Sequence, residues 1–301
     1  MILTALPDLP PRPETRANAE FRRRFYARWG RENAIVCGRA THAEYATWTQ
    51  ALSVKLAWGG REVYRLRHRE VAVEDDRYLI LNQGSAYGSL LAGARSAWTF
   101  AVFLRPGLAE SVRHARRATL ERALDAPPEG RAPAGFSEHL RPHDAHVTPH
   151  LRRMREAVIA GERDEHWLEE ASLLLVDAML DAEGEDRRRV DGLACARAAT
   201  RAEIARRVRL AADHVDTRYA QPLDLDALAG VACLSPFHFL RWFRALKGVT
   251  PHAYVVARRA AAAQRLLAQG ERDLDRVAAQ AGFGSRSTLR RALARHPPRR
   301  F

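Results

Sequence analysis

The sequence has few cysteines and no long apolar segment, and both shortages exclude whole classes of protein. Cys37, Cys195 and Cys233 are the three cysteines among 301 residues, and no Cys-x-x-Cys pair exists. An odd, widely spaced set argues against a disulfide framework and a zinc ribbon. No run of eighteen apolar residues is present, and the first residues lack a signal peptide's apolar core. We therefore expect a soluble, cytoplasmic protein without a membrane partner.

Motifs for metal binding and nucleophilic catalysis are also missing. The first hundred residues contain no His-x-His pair, and the chain contains no Gly-x-Ser-x-Gly. One histidine cluster comprises His139, His143, His146 and His150, with Asp144 among them. Spacings of three and four would suit metal ligands on a helix, but Pro142 and Pro149 favour a solvated loop instead. The sequence therefore predicts no catalytic residue, no metal site and no cofactor.

Positive charge is concentrated in the last third of the chain. The whole chain carries 49 Lys and Arg against 36 Asp and Glu, a net charge of +13. Residues 201–301 hold 19 Lys and Arg against 8 Asp and Glu, so that nearly the whole excess lies there. A general arginine bias would spread the excess evenly. Its segregation favours a unit that binds the phosphate backbone of nucleic acid.

One pattern occurs twice in the same region, and each copy predicts two helices joined by a short turn. The copies read Asp224-Leu225-x-x-Leu228-Ala229-x-x-Ala232 and Asp273-Leu274-x-x-Val277-Ala278-x-x-Ala281. In each copy, an aspartate that can cap a helix precedes apolar residues at helical spacing. A turn and a serine follow, Ser235 in the first copy and Ser285 in the second. This arrangement is typical of a helix-turn-helix, whose second helix enters the major groove of DNA.

The second helix of the first copy is predicted to have one core face and one outward face. Ser235 is the expected N-cap, and Pro236 suits the first helical position. At about 100° per residue, the core face comprises Phe239, Trp242, Phe243 and Leu246. The outward face comprises Phe237, Leu240, Arg241 and Arg244. The alternative is an ordinary surface helix with solvated arginines, which the repetition of the pattern disfavours.

The second copy keeps this geometry with smaller core residues. Its core stripe is Leu289, Ala292 and Leu293, whereas Ser287, Arg290 and Arg291 face away with Arg286 at the edge. Between the copies lies a predicted helix that Thr250 caps, Pro251 opens and Gly270 closes. A rigid spacer of this kind would place two reading helices in successive major grooves, roughly 34 Å apart.

Residues 201–296 resemble the C-terminal DNA-binding domain of AraC/XylS-type transcription regulators. The resemblance is carried by Ser235-Pro236-x-His238-Phe239-x-Arg241-x-Phe243, by Lys247-Gly248-x-Thr250-Pro251-x-x-Tyr254 and by Val277-Ala278-x-x-Ala281-Gly282-Phe283. It implies a seven-helix fold, promoter binding and control of transcription. The residues then expected to contact DNA are Phe237, His238, Leu240, Arg241, Arg244, Arg286, Ser287, Arg290 and Arg291.

Two departures from the family pattern concern the second copy. Leu289 and Leu293 stand where the family usually has aromatic residues. The family usually continues with Gly-x-Ser-Pro-x-x-Tyr-Arg and a last short helix, whereas this chain reads His296-Pro297-Pro298 and then Arg299-Arg300-Phe301. Because two prolines stop a helix, we expect the second copy to be the less stable one.

The N-terminal part reads as a small β-barrel after a proline-rich, loosely ordered stretch at residues 1–20. Short apolar runs between about residues 34 and 104 are punctuated by turns such as Gly59-Gly60 and Asn82-Gln83-Gly84. The segment from Gly59 to Ser85 resembles the cupin-type domain of the same regulators. Aromatic residues expected to line a lumen for a small-molecule effector are Tyr64, Tyr78, Tyr87, Trp98 and Phe100. The alternative assigns each of them to ordinary barrel core or surface.

Helices are predicted from about residue 148 to residue 180. One apolar face comprises Leu151, Met154, Val158 and Ile159; another comprises Trp167, Leu168, Ala171, Leu174, Leu175 and Met179. The resemblance to these regulators implies that such a helical pair serves dimerisation. Structurally, the pair could equally cover the barrel. Residues 181–200 are charged and small, and we interpret them as a linker. Cys195 falls in this linker, and Cys233 is expected to be a small packed residue in the first turn.

The sequence therefore predicts a multidomain protein. A cupin-like sensor or dimerisation domain spans residues 1–180, a linker spans 181–200, and an all-α DNA-binding domain spans 201–301. The expected function is sequence-specific control of transcription, with double-stranded DNA, a small-molecule effector and a second copy of the chain as partners. RNA polymerase is a further candidate partner. Two alternatives stay open: a cupin-like enzyme fused to a DNA-binding domain, and a partner-binding adaptor with a degenerate DNA head.

Overall fold

The structure, a computed structural model, describes residues 1–6, 20, 23, 25–117, 134–195 and 197–297. The chain divides into two compact units, Met1–Glu185 and Asp186–Phe301. The predicted linker 181–200 is helical up to Asp191, and the next helix begins at Ala198. Most of the proline-rich stretch (residues 7–19) and the pair Arg299-Arg300 lie outside the described residues.

The N-terminal unit is built on one sheet. Its strands are β1 (Ile2–Leu3), β2 (Ala34–Thr49), β3 (Leu52–Trp58), β4 (Glu62–Leu66), β5 (Arg69–Val73), β6 (Arg77–Leu81), β7 (Ala86–Leu104) and β8 (Leu140–Pro142). The hydrogen-bonded order is β1-β2-β7-β3-β6-β8, and β4 pairs with both β5 and β7. All pairs are antiparallel except β1 with β2.

Two long strands bend the sheet into a nearly closed barrel. β2 and β7 pair along almost their whole length, with register shifts between Ala40 and His42 and between Tyr45 and Trp48. Such irregularities bend and twist a strand pair. The first half of β7 then pairs with β4, whereas its second half pairs with β3. The predicted N-terminal barrel and helical C-terminal unit are therefore confirmed.

The sheet buries both of its faces, as strand β6 shows most clearly. Tyr78 and Ile80 belong to a core that also contains helical residues, whereas Leu79 and Leu81 belong to the core inside the barrel with Tyr64 and Tyr87. Alternate residues of a strand point to opposite faces. A continuous apolar run such as Tyr78–Leu81 is therefore what a strand covered on both sides requires.

The helices α1 (Leu108–Ala115), α2 (Val147–Ala160) and the first part of α3 (Glu165–Asp191) also belong to this unit. Leu151, Met154 and Val158 of α2 are buried against the barrel residues. The helices thus cover the sheet, which is one of the two roles that the sequence leaves open. Ile159 and Leu174, which the sequence assigns to the same apolar faces, are exposed in this chain, Ile159 by 58%. Each of these two residues is a sequence neighbour of a buried residue, Val158 or Leu175, and therefore lies about 100° around the helix from it.

The C-terminal unit is helical. After the end of α3 it contains α4 (Ala198–Arg218), α5 (Leu225–Val231), α6 (Pro236–Lys247), α7 (Pro251–Ala268), α8 (Leu274–Gln280) and α9 (Arg286–Arg295). Its core forms two clusters, one around α5 and α6 and one around α8 and α9. In the part of the chain that the structure describes, no helix is long and apolar enough to cross a membrane.

Candidate DNA-binding interface

Helices α5 and α6 form the first helix-turn-helix, and side-chain caps fix where each helix begins. The Asp224 carboxylate accepts a hydrogen bond from the Ala227 N–H at 2.7 Å. Ser235 Oγ accepts one from the His238 N–H at 3.4 Å, and Pro236 opens α6. Each cap satisfies an N–H group that has no partner inside the helix. The predicted caps of both helices are confirmed.

The turn between them depends on a left-handed residue. Cys233 has φ 50°, the positive-φ region that favours glycine, and is exposed. Its carbonyl accepts a hydrogen bond from Arg207 of α4 at 2.7 Å. The expectation that Cys233 is a small packed residue is wrong, since its side chain is exposed, whereas the next residue, Leu234, packs against the core. In the second motif, Gly282 with φ 81° occupies the corresponding position.

Helix α6 has the two faces that its sequence predicts. Phe239 and Phe243 are fully buried, Trp242 is nearly so, and Leu246 packs against the same cluster. The ring centroids of Phe239 and Phe243 lie 5.3 Å apart in an edge-to-face arrangement. The side chains on the opposite face are all exposed: Phe237, Leu240, Arg241 and Arg244. The aromatic core thus fixes which arginines point outward.

The second motif repeats this geometry with a smaller core. Asp273 caps α8 by accepting from the Asp275 and Arg276 N–H groups, and Ser285 caps α9 by accepting from the Thr288 N–H at 3.2 Å. Leu289 and Ala292 are buried, and Leu293 is partly buried. The outward side chains Arg286, Ser287, Arg290 and Arg291 are exposed.

The spacer helix α7 packs against both motifs within the C-terminal unit. Val255 belongs to the core around α5 and α6, whereas Ala260 and Ala263 belong to the core around α8 and α9. Thr250 caps α7 and Pro251 opens it, as predicted. Its 18 residues span about 27 Å at 1.5 Å per residue. This length is of the same order as the roughly 34 Å that separates successive major grooves on one DNA face.

A buried ion pair ties the spacer to α4. Arg258 Nε lies 3.4 Å from Asp216 Oδ1, and both side chains are almost completely buried. The Tyr254 hydroxyl donates to Asp216 Oδ2 at 2.8 Å, and the Arg258 guanidinium lies 4.6 Å from the Tyr219 ring centroid. Arg259 donates to the Tyr219 and Gln221 carbonyls at 2.7 and 2.8 Å. These contacts fix the end of α4 against α7, between the two motifs.

A family model described as a helix-turn-helix domain matches residues 228–297. The matched residues form an AraC-type helix-turn-helix domain. The match begins inside α5 and covers α6, the spacer helix and the whole second motif.

Two curated relatives share this region. The "Probable transcriptional regulator LumQ" of Photobacterium leiognathi is 30% identical over 83 residues, which are 28% of this chain and 34% of the relative. The "Uncharacterized HTH-type transcriptional regulator YbfI" of Bacillus subtilis is 34% identical over 82 residues, 27% of this chain and 30% of the relative. The similarity thus spans about a third of the relatives' length.

A solved structure aligns with more of the chain. Fatty-acid-bound ToxT of Vibrio cholerae covers 87% of this chain and 91% of its own, at 12% identity and a TM-score of 0.35. This alignment is too distant to show what this chain binds or does.

The exposed arginines of the AraC-type domain differ in their local partners. Arg286 lies 3.6 Å from Asp275 in an exposed ion pair. The Arg241 guanidinium lies 4.9 Å from the Trp242 ring centroid. His238 Nδ1 lies 2.8 Å from Ser235 Oγ, so that this ring is tied to the cap of its own helix. An exposed pair contributes about 1 kcal/mol or less, so the arginines stay available to phosphate oxygens.

The N-terminal unit contains a cavity of about 60 Å³ inside the barrel. Of the predicted effector residues, Tyr64 and Tyr87 line it. The structure places Tyr78 and Phe100 in the core that faces the helices, and stacks Trp98 on Trp58 with ring centroids 5.5 Å apart. A role of Tyr64 and Tyr87 in effector binding stays a prediction.

Sequence reasoning missed the polar residues of this cavity. Gln50, Lys55 and Glu62 line it, and all three side chains are buried. Burial lowers the pKa of Lys55 to about 7, although the nearby Glu62 carboxylate acts in the opposite direction. Burial also raises the pKa of Tyr64 well above its ordinary value. The sequence feature that could have revealed this polar site is Lys55, because a lysine is unusual within an apolar run such as Leu52–Leu56 that forms a fully covered strand.

The interpretation of the histidine cluster as a solvated loop is wrong for His139, which is buried, and for His150, which lies in α2, whereas His146 lies in a loop with its side chain 39% exposed. His139 is buried, and its Nδ1 lies 2.9 Å from the Leu140 carbonyl. His143 Nε2 lies 2.9 Å from the Asp75 carbonyl, and burial lowers its pKa. Pro149 lies in the first turn of α2, where a missing N–H costs no hydrogen bond. Among the described residues, no three His, Cys, Asp or Glu side chains converge as a metal site.

Proposed function

We propose that this protein is a sequence-specific transcription regulator that binds double-stranded DNA through both helix-turn-helix motifs. The observation that carries the proposal is the repeated arrangement of α6 and α9: each helix buries an apolar face and exposes an arginine face. The proposed base-facing residues are Phe237, Leu240 and Arg241 in α6, and Arg286, Ser287, Arg290 and Arg291 in α9. Arginine pairs with the edge of guanine, and exposed apolar groups contact the thymine methyl.

The domain boundaries support separate tasks for the two parts of the chain. We propose residues 1–180 as the sensor or dimerisation domain and residues 201–301 as the DNA-binding domain. The proposed regulator responds to a small molecule in the barrel or to pairing with a second copy. Its role is not enzymatic, its location is the cytoplasm, and RNA polymerase is its proposed protein partner at a promoter.

The proposal is tested by selecting bound sequences from a pool of random duplex DNA with the purified full-length protein. We expect enrichment of one motif, bound at least about a thousandfold more tightly than scrambled DNA at physiological salt. Binding of all sequences with equal affinity would support an adaptor with a degenerate DNA head instead. The salt concentration must be fixed, because phosphate contacts make both affinities salt-dependent.

Arg241→Ala is expected to remove base reading from the first motif. The side chain is exposed on a helix that its cap and aromatic core hold in place. The change should cost about 1–3 kcal/mol on the selected site and little on scrambled DNA. Equilibrium binding to both DNAs measures this difference. An equal loss on both would make Arg241 a phosphate contact.

The second motif is expected to contribute affinity more than specificity. Its recognition helix buries Leu289 and Ala292, whereas α6 buries three aromatic residues. Apolar burial stabilises by about 25 cal/mol per Å², so the second motif opens more readily. Paired replacement of Arg290 and Arg291 by alanine should weaken binding to selected and scrambled DNA alike, and should flatten the salt dependence.

The matched comparison is Arg241→Ala, measured on the same two DNAs over the same salt series. If the Arg290 and Arg291 pair relaxes sequence preference as much as Arg241→Ala does, the two motifs share base reading equally. The expectation of unequal roles is then wrong.

A further inference from the structure

The cavity inside the barrel has an aromatic wall. Trp29, Trp48 and Phe103 line it together with the tyrosines. The Trp29 ring centroid lies 4.3 Å from that of Phe103 and 6.4 Å from that of Trp48. The cavity volume of about 60 Å³ is several times the roughly 15 Å³ that one water molecule requires. The space therefore suits a molecule of few heavy atoms.

A buried ammonium group projects into this wall. Lys55 Nζ lies 3.6 Å from the Phe103 ring centroid and 5.0 Å from that of Tyr87. Its other described contacts include the Tyr64 ring at 6.0 Å. Within the described residues, no carboxylate oxygen forms an ion pair with Lys55 Nζ at 4.0 Å or less. A buried ammonium prefers charge-assisted hydrogen bonds, which an anionic ligand group would supply.

Two buried acceptor atoms line the same cavity. Glu62 Oε2 and Gln50 Oε1 are fully buried and, within the described residues, have no hydrogen-bond partner. An unsatisfied buried acceptor destabilises the folded state, and more so when it is charged. Both atoms therefore favour a ligand that carries N–H donors, and the Glu62 carboxylate favours a positively charged one.

We propose that this cavity binds a small zwitterion, a free α-amino acid with a short side chain. The ligand carboxylate accepts from Lys55, and the ligand ammonium donates to Glu62 and Gln50. The proposal rests on the proposed function, in which a small molecule in the barrel modulates the regulator. It assigns the chemical class of that molecule.

The positive charge of Lys55 and the negative charge of Glu62 disfavour small ligands that carry one charge. An anion without an ammonium group would satisfy Lys55 but would place a second negative charge near Glu62. An amine without a carboxylate would satisfy Glu62 and leave Lys55 unpaired. A molecule that carries both charges offers an acceptor to Lys55 and donors to Glu62 and Gln50, which line the same cavity.

The test is calorimetric titration of the full-length protein, without DNA, with glycine, L-alanine and L-serine. Acetate and ethanolamine serve as matched probes, because each keeps one charged end. We expect at least one amino acid to bind and to raise the unfolding temperature. Acetate and ethanolamine should bind about tenfold more weakly or worse, the factor that the loss of one charge-assisted hydrogen bond predicts.

Two variants locate the binding in the cavity. Lys55→Met should fold, because an apolar side chain of similar length replaces a buried ammonium that forms no ion pair within 4.0 Å in the described residues. It should nevertheless lose amino-acid affinity by about tenfold or more. Ala101→Val keeps both charges but narrows the cavity, which Ala101 lines, and should also weaken binding.

The proposal is overturned if none of the three amino acids binds, if acetate binds as tightly as they do, or if Lys55→Met retains full affinity. A protein that selects a DNA motif but binds no amino acid contradicts this inference alone. A protein that binds an amino acid but selects no DNA motif contradicts the proposed function alone.

Discussion

Phe239→Ala is expected to lower the free energy of unfolding of the C-terminal unit by roughly 3–5 kcal/mol. The Phe239 ring is fully buried beside Phe243 in the core that joins α4, α5 and α6. Removing it leaves a cavity that the surrounding helices cannot fill without moving. Denaturant unfolding of the full-length protein, with hydrogen exchange at α6 amides, measures the loss in this unit.

Phe237 provides a matched control, since the same substitution is made two residues away on the same helix. Its side chain is 71% exposed, whereas that of Phe239 is 0% exposed. Phe237→Ala should change stability by about 0.5 kcal/mol or less, while it should weaken DNA binding if Phe237 contacts bases. Equal destabilisation by the two changes would contradict the assignment of the two faces.

Asp216→Ala is expected to destabilise the C-terminal unit by about 3–5 kcal/mol, because it removes the Asp216 carboxylate from the buried Arg258 guanidinium. The carboxylate also accepts the Tyr254 hydroxyl at 2.8 Å, so the change removes two partners at once. The pair lies where α4 meets the spacer helix. Thermal and denaturant unfolding of the full-length variant measure the cost.

Two further variants show how much of the Asp216→Ala effect comes from burial of the ion pair and how much from the loss of one charge. Asp275→Ala removes an exposed partner of Arg286, and should cost about 1 kcal/mol or less. Joint replacement of Asp216 by leucine and Arg258 by methionine should recover much of the loss, because an apolar pair of similar volume often matches a buried ion pair. A small effect of Asp216→Ala would show that water or a rearranged side chain reaches Arg258.

The C-terminal domain was predictable from its sequence because its signals are local. Ser235 and Asp224 act within one helical turn, and the apolar spacing of α6 sorts Phe239 from Phe237 without any knowledge of distant contacts. The buried pair of Asp216 and Arg258 was not predictable in this way. The two residues are 42 positions apart. Helical spacing alone predicts that a charged residue lies on the exposed face of its helix.

The N-terminal barrel was predictable as a class, whereas its cavity was not. Lys55 and Glu62 are brought together because β3 and β4 both pair with β7, along different halves of that strand. Such pairing depends on where β7 bends, which the short apolar runs do not encode. The same limit applies to His143, whose partner Asp75 is 68 residues away.

The central claim is that two helices on one spacer occupy successive grooves, and hydroxyl-radical footprinting on the selected DNA tests it most directly. The protein should protect two segments on one face of the duplex, about one helical turn apart. Replacement of Arg290 and Arg291 by alanine should weaken one protected segment and leave the other in place. One protected segment in the unmodified protein, or two that fail together in the variant, would contradict the account.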